Sequence, residues 1–190
     1  FKQNIIDGLS REEFIASKLL TILVFTIFST LLAFTIALVL GKTYSDTQDG
    51  ELIFKEIFFI FNYFLKLFTF FTFLMFLSVL FRKSIFVFLG FFMLWFVEGV
   101  FSGIEKFMLL KNVAQKDKAR LMLENHFITD YLPLESMSSL IPNPLVRTKM
   151  AQMIGMDFKF DYPVYSVIAC LVWSLIFIGG SYLILKKKDW

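Results

Sequence analysis

Few residues in this sequence have the types and spacing that catalysis or cofactor binding requires. The run from Gly41 to Thr43 resembles the end of a phosphate-binding P-loop, but that motif needs a glycine where Ile36 stands. His126 is the only histidine and cannot build a multi-histidine metal site. Cys170 is the only cysteine, which excludes an intrachain disulfide and a cysteine-pair metal site. The sequence therefore predicts a protein that is not an enzyme, with no catalytic, cofactor-binding or metal-binding residues.

Two charged residues, Glu98 and Lys66, interrupt long apolar stretches. A charge at membrane depth is costly and is often retained for function, so both are candidate functional residues. The structural alternative places Glu98 near the outer interface, neutralised or paired with Lys66 or Lys106, while the long side chain of Lys66 reaches the nearest interface. Gly99 and Gly103 have the GxxxG spacing that permits close helix approach.

The composition is that of a membrane protein. Of the 190 residues, 57% are hydrophobic and 18% are charged, whereas soluble domains carry about 25% charged residues. The apolar residues, including 27 phenylalanines, are concentrated in long blocks, which mark bilayer spans. We predict an all-α fold, a polytopic transmembrane helical bundle. The net charge of +3 is modest and its basic residues flank the blocks, so we expect contacts with membrane lipids and none with nucleic acid.

Four membrane spans are predicted from the apolar blocks. They cover residues 19–40, 61–81, 85–104 and 164–185. Residues 51–60 are expected to form an interfacial helix that leads into the second span. The spans define a domain 19–104 with three transmembrane helices and short loops, and a domain 163–190 with the last helix and a basic tail.

Basic residues cluster at three places next to these spans. They lie in residues 1–18, at the turn formed by Arg82 and Lys83, and in the tail from Lys186 to Lys188. With four spans these places share one side, which the positive-inside rule assigns to the cytoplasm, together with the C-terminus. Residues 105–162 then form an extracytoplasmic loop. This loop includes a stretch rich in helix formers at 114–125, an apolar stretch at 133–141 and a helix candidate at 145–154.

The segment 1–18 has the features of a rigid helix start. Ser10 is a predicted N-cap, and Glu13 stands three residues later, as in a capping box. We expect a helix that begins there and continues without a break into the first span.

The run from Asn4 to Leu20, NIIDGLSREEFIASKLL, resembles the cytoplasmic loop before the third helix in permease subunits of ABC-2-type transporters. Those loops commonly carry an apolar pair, a glycine, Leu-Ser-Arg, a further apolar residue and a lysine. Here the places are filled by Gly8, Leu9, Ser10, Arg11, Phe14 and Lys18. The segment YLPLESMSSLIPNP before the last span and the terminal Lys-Lys-Lys-Asp run are also similar.

This resemblance implies a permease subunit of an ATP-driven transporter in the bacterial cytoplasmic (inner) membrane. Two permeases, identical or related, would form the translocation path, and ATP would be bound by separate ATPase subunits. The family usually has six spans, so two more are expected before Phe1. Residues 105–162 would form an outer gate with short or re-entrant helices.

The resemblance also makes residues 1–18 a coupling helix that docks on the ATPase. The docking residues are Gly8, Leu9, Ser10, Arg11, Glu12, Glu13 and Phe14. We expect Leu9, Phe14 and Ile15 to offer apolar surface to a partner groove, with the charged residues of the run at its rim.

Other readings of the same features stay open. The chain could be a non-transporting membrane scaffold or assembly factor, which a co-purifying ATPase would argue against. An ion channel or proton-coupled carrier would rest on Glu98 and Lys66, and it would need more charges at membrane depth. Residues 1–18 could also lie on the lipid surface, which requires the same amphipathicity.

Overall fold

The computed structural model describes residues 10–44, 57–81, 83–111, 113, 127–141 and 163–187. Within this part of the chain the backbone is helical and contains no strand, which confirms the all-α prediction. The elements are α1 (Arg11–Tyr44), α2 (Ile57–Leu80), α3 (Ser84–Leu110), a 3₁₀ helix (Ile128–Tyr131), α4 (Pro133–Ser139) and α5 (Val164–Lys187).

Four helices in the described part are long and apolar enough to cross a membrane, namely α1, α2, α3 and α5. The predicted polytopic helical bundle is therefore confirmed. Helix α2 begins at Ile57, inside the segment 51–60 that was expected to form a separate interfacial helix. Residues 57–60 are therefore the first turn of the spanning helix itself. Helix α3 continues beyond the predicted end at residue 104 to Leu110. The helix candidates at 114–125 and 145–154 lie outside the described residues.

Threonine hydroxyls in α1 find their hydrogen-bond partners within the helix. Thr30 donates to the carbonyl of Thr26 at 2.7 Å, and Thr35 donates to the carbonyl of Leu31 at 2.8 Å. The same bond, to the carbonyl four residues earlier, is made by Thr21 and Thr43. These polar side chains can therefore lie in an apolar environment without a partner from another helix.

The described residues up to Val87 and from Leu171 onward form one compact unit. In this unit, α2 and α5 are joined by a buried hydrogen bond of 2.9 Å between the hydroxyls of Thr69 and Ser174. The rings of Phe73 and Phe177 lie nearby with centroids 5.0 Å apart. Helix α1 packs on α2, with the ring of Phe25 edge-on to that of Phe71 at 5.2 Å.

A second unit comprises the described residues from Phe88 to Cys170. It contains most of α3, the 3₁₀ helix, α4 and the first turns of α5. Its buried side chains include Phe127, Met137, Leu140 and Cys170. Many large apolar side chains of α3 are exposed, such as Met108 at 72%. A helix with this much exposed apolar surface requires lipid or another subunit around it.

Candidate functional site

The predicted capping box at the start of α1 is present. The backbone N–H of Glu13 donates to Ser10 Oγ at 3.2 Å, and the N–H of Ser10 donates to Glu13 Oε2 at 2.8 Å. The N–H of Phe14 donates to the Ser10 carbonyl at 3.1 Å. Helix α1 then continues to Tyr44, so the uninterrupted helix from this cap through the first span is also confirmed. Because both cap bonds are closed, the helix start is fixed.

The first turns of α1 pack against other helices of their own unit. Ile15, Val79 and Leu185 form a buried cluster that joins the start of α1 to the ends of α2 and α5. Tyr182 on α5 donates its hydroxyl to Glu12 Oε1 at 2.9 Å. The prediction that Ile15 faces a partner is therefore wrong. Its side chain is only 6% exposed, because it fills the contact between the chain's own helices.

The predicted docking residues are only partly within the described part of the chain. Ser10, Glu12 and Glu13 are exposed there. Phe14 is half-buried, packs against the Ile15 cluster and lies under the ammonium group of Lys18, 5.7 Å from its ring centroid. Gly8, Leu9 and the side chain of Arg11 lie outside the described residues. Among the predicted docking residues that the structure describes, the surface open to a partner is thus carried mainly by the polar residues of the cap.

A second group of functional candidates lies along α3. Glu98, Ser102, Glu105 and Lys106 occur at helical spacing and share one face of this helix. Glu98 and Ser102 are buried, and Glu105 and Lys106 are half-buried. All four belong to the second unit, and this polar face contacts the segment from Phe127 to Leu140.

The carboxylate of Glu98 caps α4. Its Oε2 accepts hydrogen bonds from the backbone N–H groups of Leu134 at 2.9 Å and Glu135 at 3.1 Å. These N–H groups lie in the first turn, where a helix has no internal partners for them. The N-cap residue Leu132 makes no capping bond with its side chain. Glu98 therefore supplies from another helix the acceptor that α4 lacks, at the end where the helix dipole favours negative charge.

Glu105 binds the 3₁₀ helix in the same way. Its two carboxylate oxygens accept from the N–H groups of Ile128 at 2.8 Å and Thr129 at 2.9 Å. About two turns beyond Glu98, Lys106 Nζ forms a salt bridge of 3.0 Å with Glu135 Oε1. The hydroxyl of Ser102 donates to the same oxygen at 3.4 Å. Both short helices are thus attached to α3 through its side chains.

These contacts differ from the pairing expected for Glu98. Lys106, one of its two expected partners, forms its ion pair with Glu135, and Glu98 binds backbone N–H groups. Lys66 is half-buried on α2, in the first unit. Glu105 and Glu135 were missed as functional candidates. The signal that could have identified Glu105 is the spacing of the four polar residues on one face of an otherwise apolar helix.

Cys170 lies beneath α4. Its side chain is 0% exposed, and its Sγ donates to the hydroxyl of Ser136 at 3.5 Å. In the described part of the chain, no group of three or more histidine, cysteine or carboxylate side chains is arranged to hold a metal ion. The arrangement of the second unit is suited to holding a surface segment in place.

Comparison with known proteins supports the resemblance noted in the sequence. A family model described as ABC-2 family transporter protein matches residues 9–190. The searches of curated proteins and of solved structures found no match. The matched region includes all helices described above, from the capped start of α1 to the end of α5. This chain therefore belongs to the ABC-2 family of transporter proteins and is a multi-pass membrane permease.

Proposed function

We propose that this permease forms the translocation path of an ATP-driven transporter and is coupled through residues 1–18 to separate ATPase subunits that bind the ATP. The observation that carries the proposal is the closed capping box of Ser10 and Glu13 at the head of α1. A helix that is rigid from its first turn and continues into the first span acts as a lever. Force applied by a partner at the cap would tilt that span.

Contacts inside the first unit extend this lever to two more helices. The Ile15–Val79–Leu185 cluster and the bond between Glu12 and Tyr182 link the head of α1 to α2 and α5. Movement of the head would therefore be shared by three spans. The lipid-surface alternative for residues 1–18 gives no role to a hydroxyl-carboxylate bond with α5.

The same cluster supports the proposed orientation. It brings the start of α1 to the ends of α2 and α5, so these three helix ends share one side of the membrane. Exposed lysines lie at or near this end, namely Lys18, Lys83, Lys186 and Lys187. The positive-inside rule assigns such an end to the cytoplasm, where ATPase subunits operate. The C-terminus would then be cytoplasmic, in the inner membrane of a bacterium.

The exposed apolar surfaces of α1 and α3 support the proposed partners in the membrane. Apolar side chains on both helices are open to their surroundings, for example Leu20 at 64% and Met93 at 70%. Lipid and a second permease, identical or related, would cover them. The segment between α3 and α5 would lie on the outer side and form the gate.

Co-purification from native membranes in mild detergent tests the coupling. We expect a tagged chain to retain an ATPase with the Walker A motif, identified by mass spectrometry. Glu12→Arg should reduce the retained ATPase at least about tenfold, since reversing a charge within an interface costs more than about 1.4 kcal/mol. Tyr182→Phe is the matched control, because it removes the internal bond of Glu12 but leaves the surface carboxylate.

The two variants separate the possible outcomes. Loss of ATPase in Glu12→Arg alone supports direct docking. Equal loss in both variants would mean that Glu12 acts only through its bond to Tyr182. Absence of any ATPase from the unmodified chain would favour the scaffold alternative and defeat the proposal.

A further inference from the structure

The segment from Phe127 to Leu140, which we call the lid, is attached to α3 by its backbone. Four N–H groups at the starts of its two short helices, those of Ile128, Thr129, Leu134 and Glu135, donate to carboxylates of α3. Helices this short are not stable alone, and their first N–H groups need acceptors. Glu98 and Glu105 therefore both order the lid and fix its position.

The lid has an inner and an outer face. On the inner face Phe127, Ser136, Met137 and Leu140 are buried. Ser136 contacts Cys170 of α5, and neither side chain is accessible. On the outer face, by contrast, Ile128 is 83% exposed. The lid is thus a two-sided cover whose apolar face lies against α3 and the beginning of α5.

The hydrogen bonds that attach the lid to α3 can be broken and formed again. Each joins a side-chain carboxylate to a backbone N–H, so a rotamer change or a water molecule can break it while α3 stays helical. Because Glu98 caps α4 and Glu105 caps the 3₁₀ helix, the loss of either carboxylate loosens one half of the lid. Lys106, the residue after Glu105 in α3, adds a salt bridge to Glu135 of the lid.

We propose that Glu98 and Glu105 are positioning residues for transport, which hold the lid closed over Cys170 and release it when the outer gate opens. The proposal deepens the proposed function and rests on it for the position of the lid at the gate. The closed state is the one described above. The open state exposes Cys170 to solutes without unfolding α3 or α5.

Cys170 reports this opening directly, since it is the only cysteine of the chain. We would measure its rate of modification by N-ethylmaleimide in the full chain, reconstituted in phosphatidylethanolamine–phosphatidylglycerol vesicles. Glu98→Leu should raise the rate at least about tenfold, because the N–H groups of Leu134 and Glu135 lose their acceptor. Glu98→Gln keeps one carbonyl oxygen as an acceptor and should raise it less than about threefold. Glu105→Leu should also raise the rate.

Two controls exclude a merely structural effect. Ser138→Ala changes a residue of the lid that does not bond to α3 in the bonds described. The Ser138 hydroxyl donates to the carbonyl of Glu135, within the lid. The rate of Cys170 modification should therefore stay unchanged. A cysteine at the buried position Ser174, in a Cys170→Ala background, should remain slow to react in Glu98→Leu. Fast labelling there would mean general unfolding and would overturn the proposal.

Unchanged labelling of Cys170 in both Glu98→Leu and Glu105→Leu, with the chain inserted, would also overturn it. The measurement needs no ATPase. If no ATPase co-purifies but Cys170 is labelled faster in these variants, the proposed coupling fails while the positioning role stands. If an ATPase binds but labelling is unchanged, the positioning role fails alone.

Discussion

Gly180 on α5 lies where the helix approaches α2 most tightly among the glycines described. A Cβ added at Gly180 would lie 2.8 Å from Phe76 Cε2, closer than atoms can pack. The ring of Phe76 also packs on Phe177 with centroids 5.6 Å apart, so a shift of the ring would disturb that contact. At the adjacent Gly179, nothing lies within 4 Å of the same position. These neighbours therefore form a matched pair.

We predict that Gly180→Ala lowers the free energy of unfolding by about 1–3 kcal/mol through overpacking against Phe76. Gly179→Ala should leave it unchanged or raise it, since alanine favours helix by up to about 1 kcal/mol. Thermal unfolding of the detergent-solubilised chain, followed by tryptophan fluorescence, checks both. Equal melting temperatures for the two variants would show that the ring of Phe76 yields without cost.

Glutamates at different positions differ in how far the sequence reveals their roles. The bond pair of Ser10 and Glu13 was predictable, because both residues belong to one turn and the motif is local. The partners of Glu98 were not predictable, because they are backbone groups 36 and 37 residues away. Every residue except proline has a backbone N–H, so the residue types do not indicate which one is the donor. The burial of Ile15 depends in the same way on Val79 and Leu185, which only the fold brings near.

At the scale of elements, the four spans were predictable because each is a long apolar block. The residues at which these helices begin and end were less predictable. Helix α3 extends past the predicted boundary because Glu105 and Lys106, which look like the start of a polar loop, are bonded to the lid and remain helical. Charged residues do not end a helix when a packed segment supplies partners for their hydrogen bonds and ion pairs.

The sidedness of these elements can be checked by cysteine labelling in a Cys170→Ser background. We predict that a membrane-impermeant maleimide added to whole cells labels Ile128→Cys in the 3₁₀ helix and spares Ser84→Cys at the start of α3. Both positions are exposed, so side-chain access does not bias the comparison. Permeabilised cells should show labelling at both. Labelling of Ser84→Cys alone in intact cells would reverse the proposed orientation.

At the scale of the whole molecule, the proposed docking and the proposed force transmission would depend on different side chains. The exposed cap of α1 is available to a partner, whereas Ile15 is enclosed by the chain's own helices. We predict that Ile15→Ala leaves ATPase retention within about twofold but abolishes stimulation of ATP hydrolysis by the permease, since a buried isoleucine truncated to alanine costs about 2–5 kcal/mol. Co-purification and phosphate release, measured on one preparation, check the two effects.

Ile27→Ala is the control for this prediction, because Ile27 lies on the same helix and is 42% exposed. It should change neither binding nor hydrolysis. Loss of both in Ile15→Ala would mean that the cluster maintains the docking surface and does not transmit force.

The hydroxyl bonds of the first unit also set an order of biogenesis. The threonine bonds of α1 close on carbonyls four residues earlier, so this helix is complete as soon as the ribosome has made it. The bond between Thr69 and Ser174 joins residues 105 positions apart, and it must wait until α5 has been synthesised. Helix α1 can therefore partition into lipid as an independent segment, whereas α2 and α5 become a pair only after α5 has been made. A ribosome that stalls before α5 would leave in the bilayer a chain that is inserted but not yet assembled.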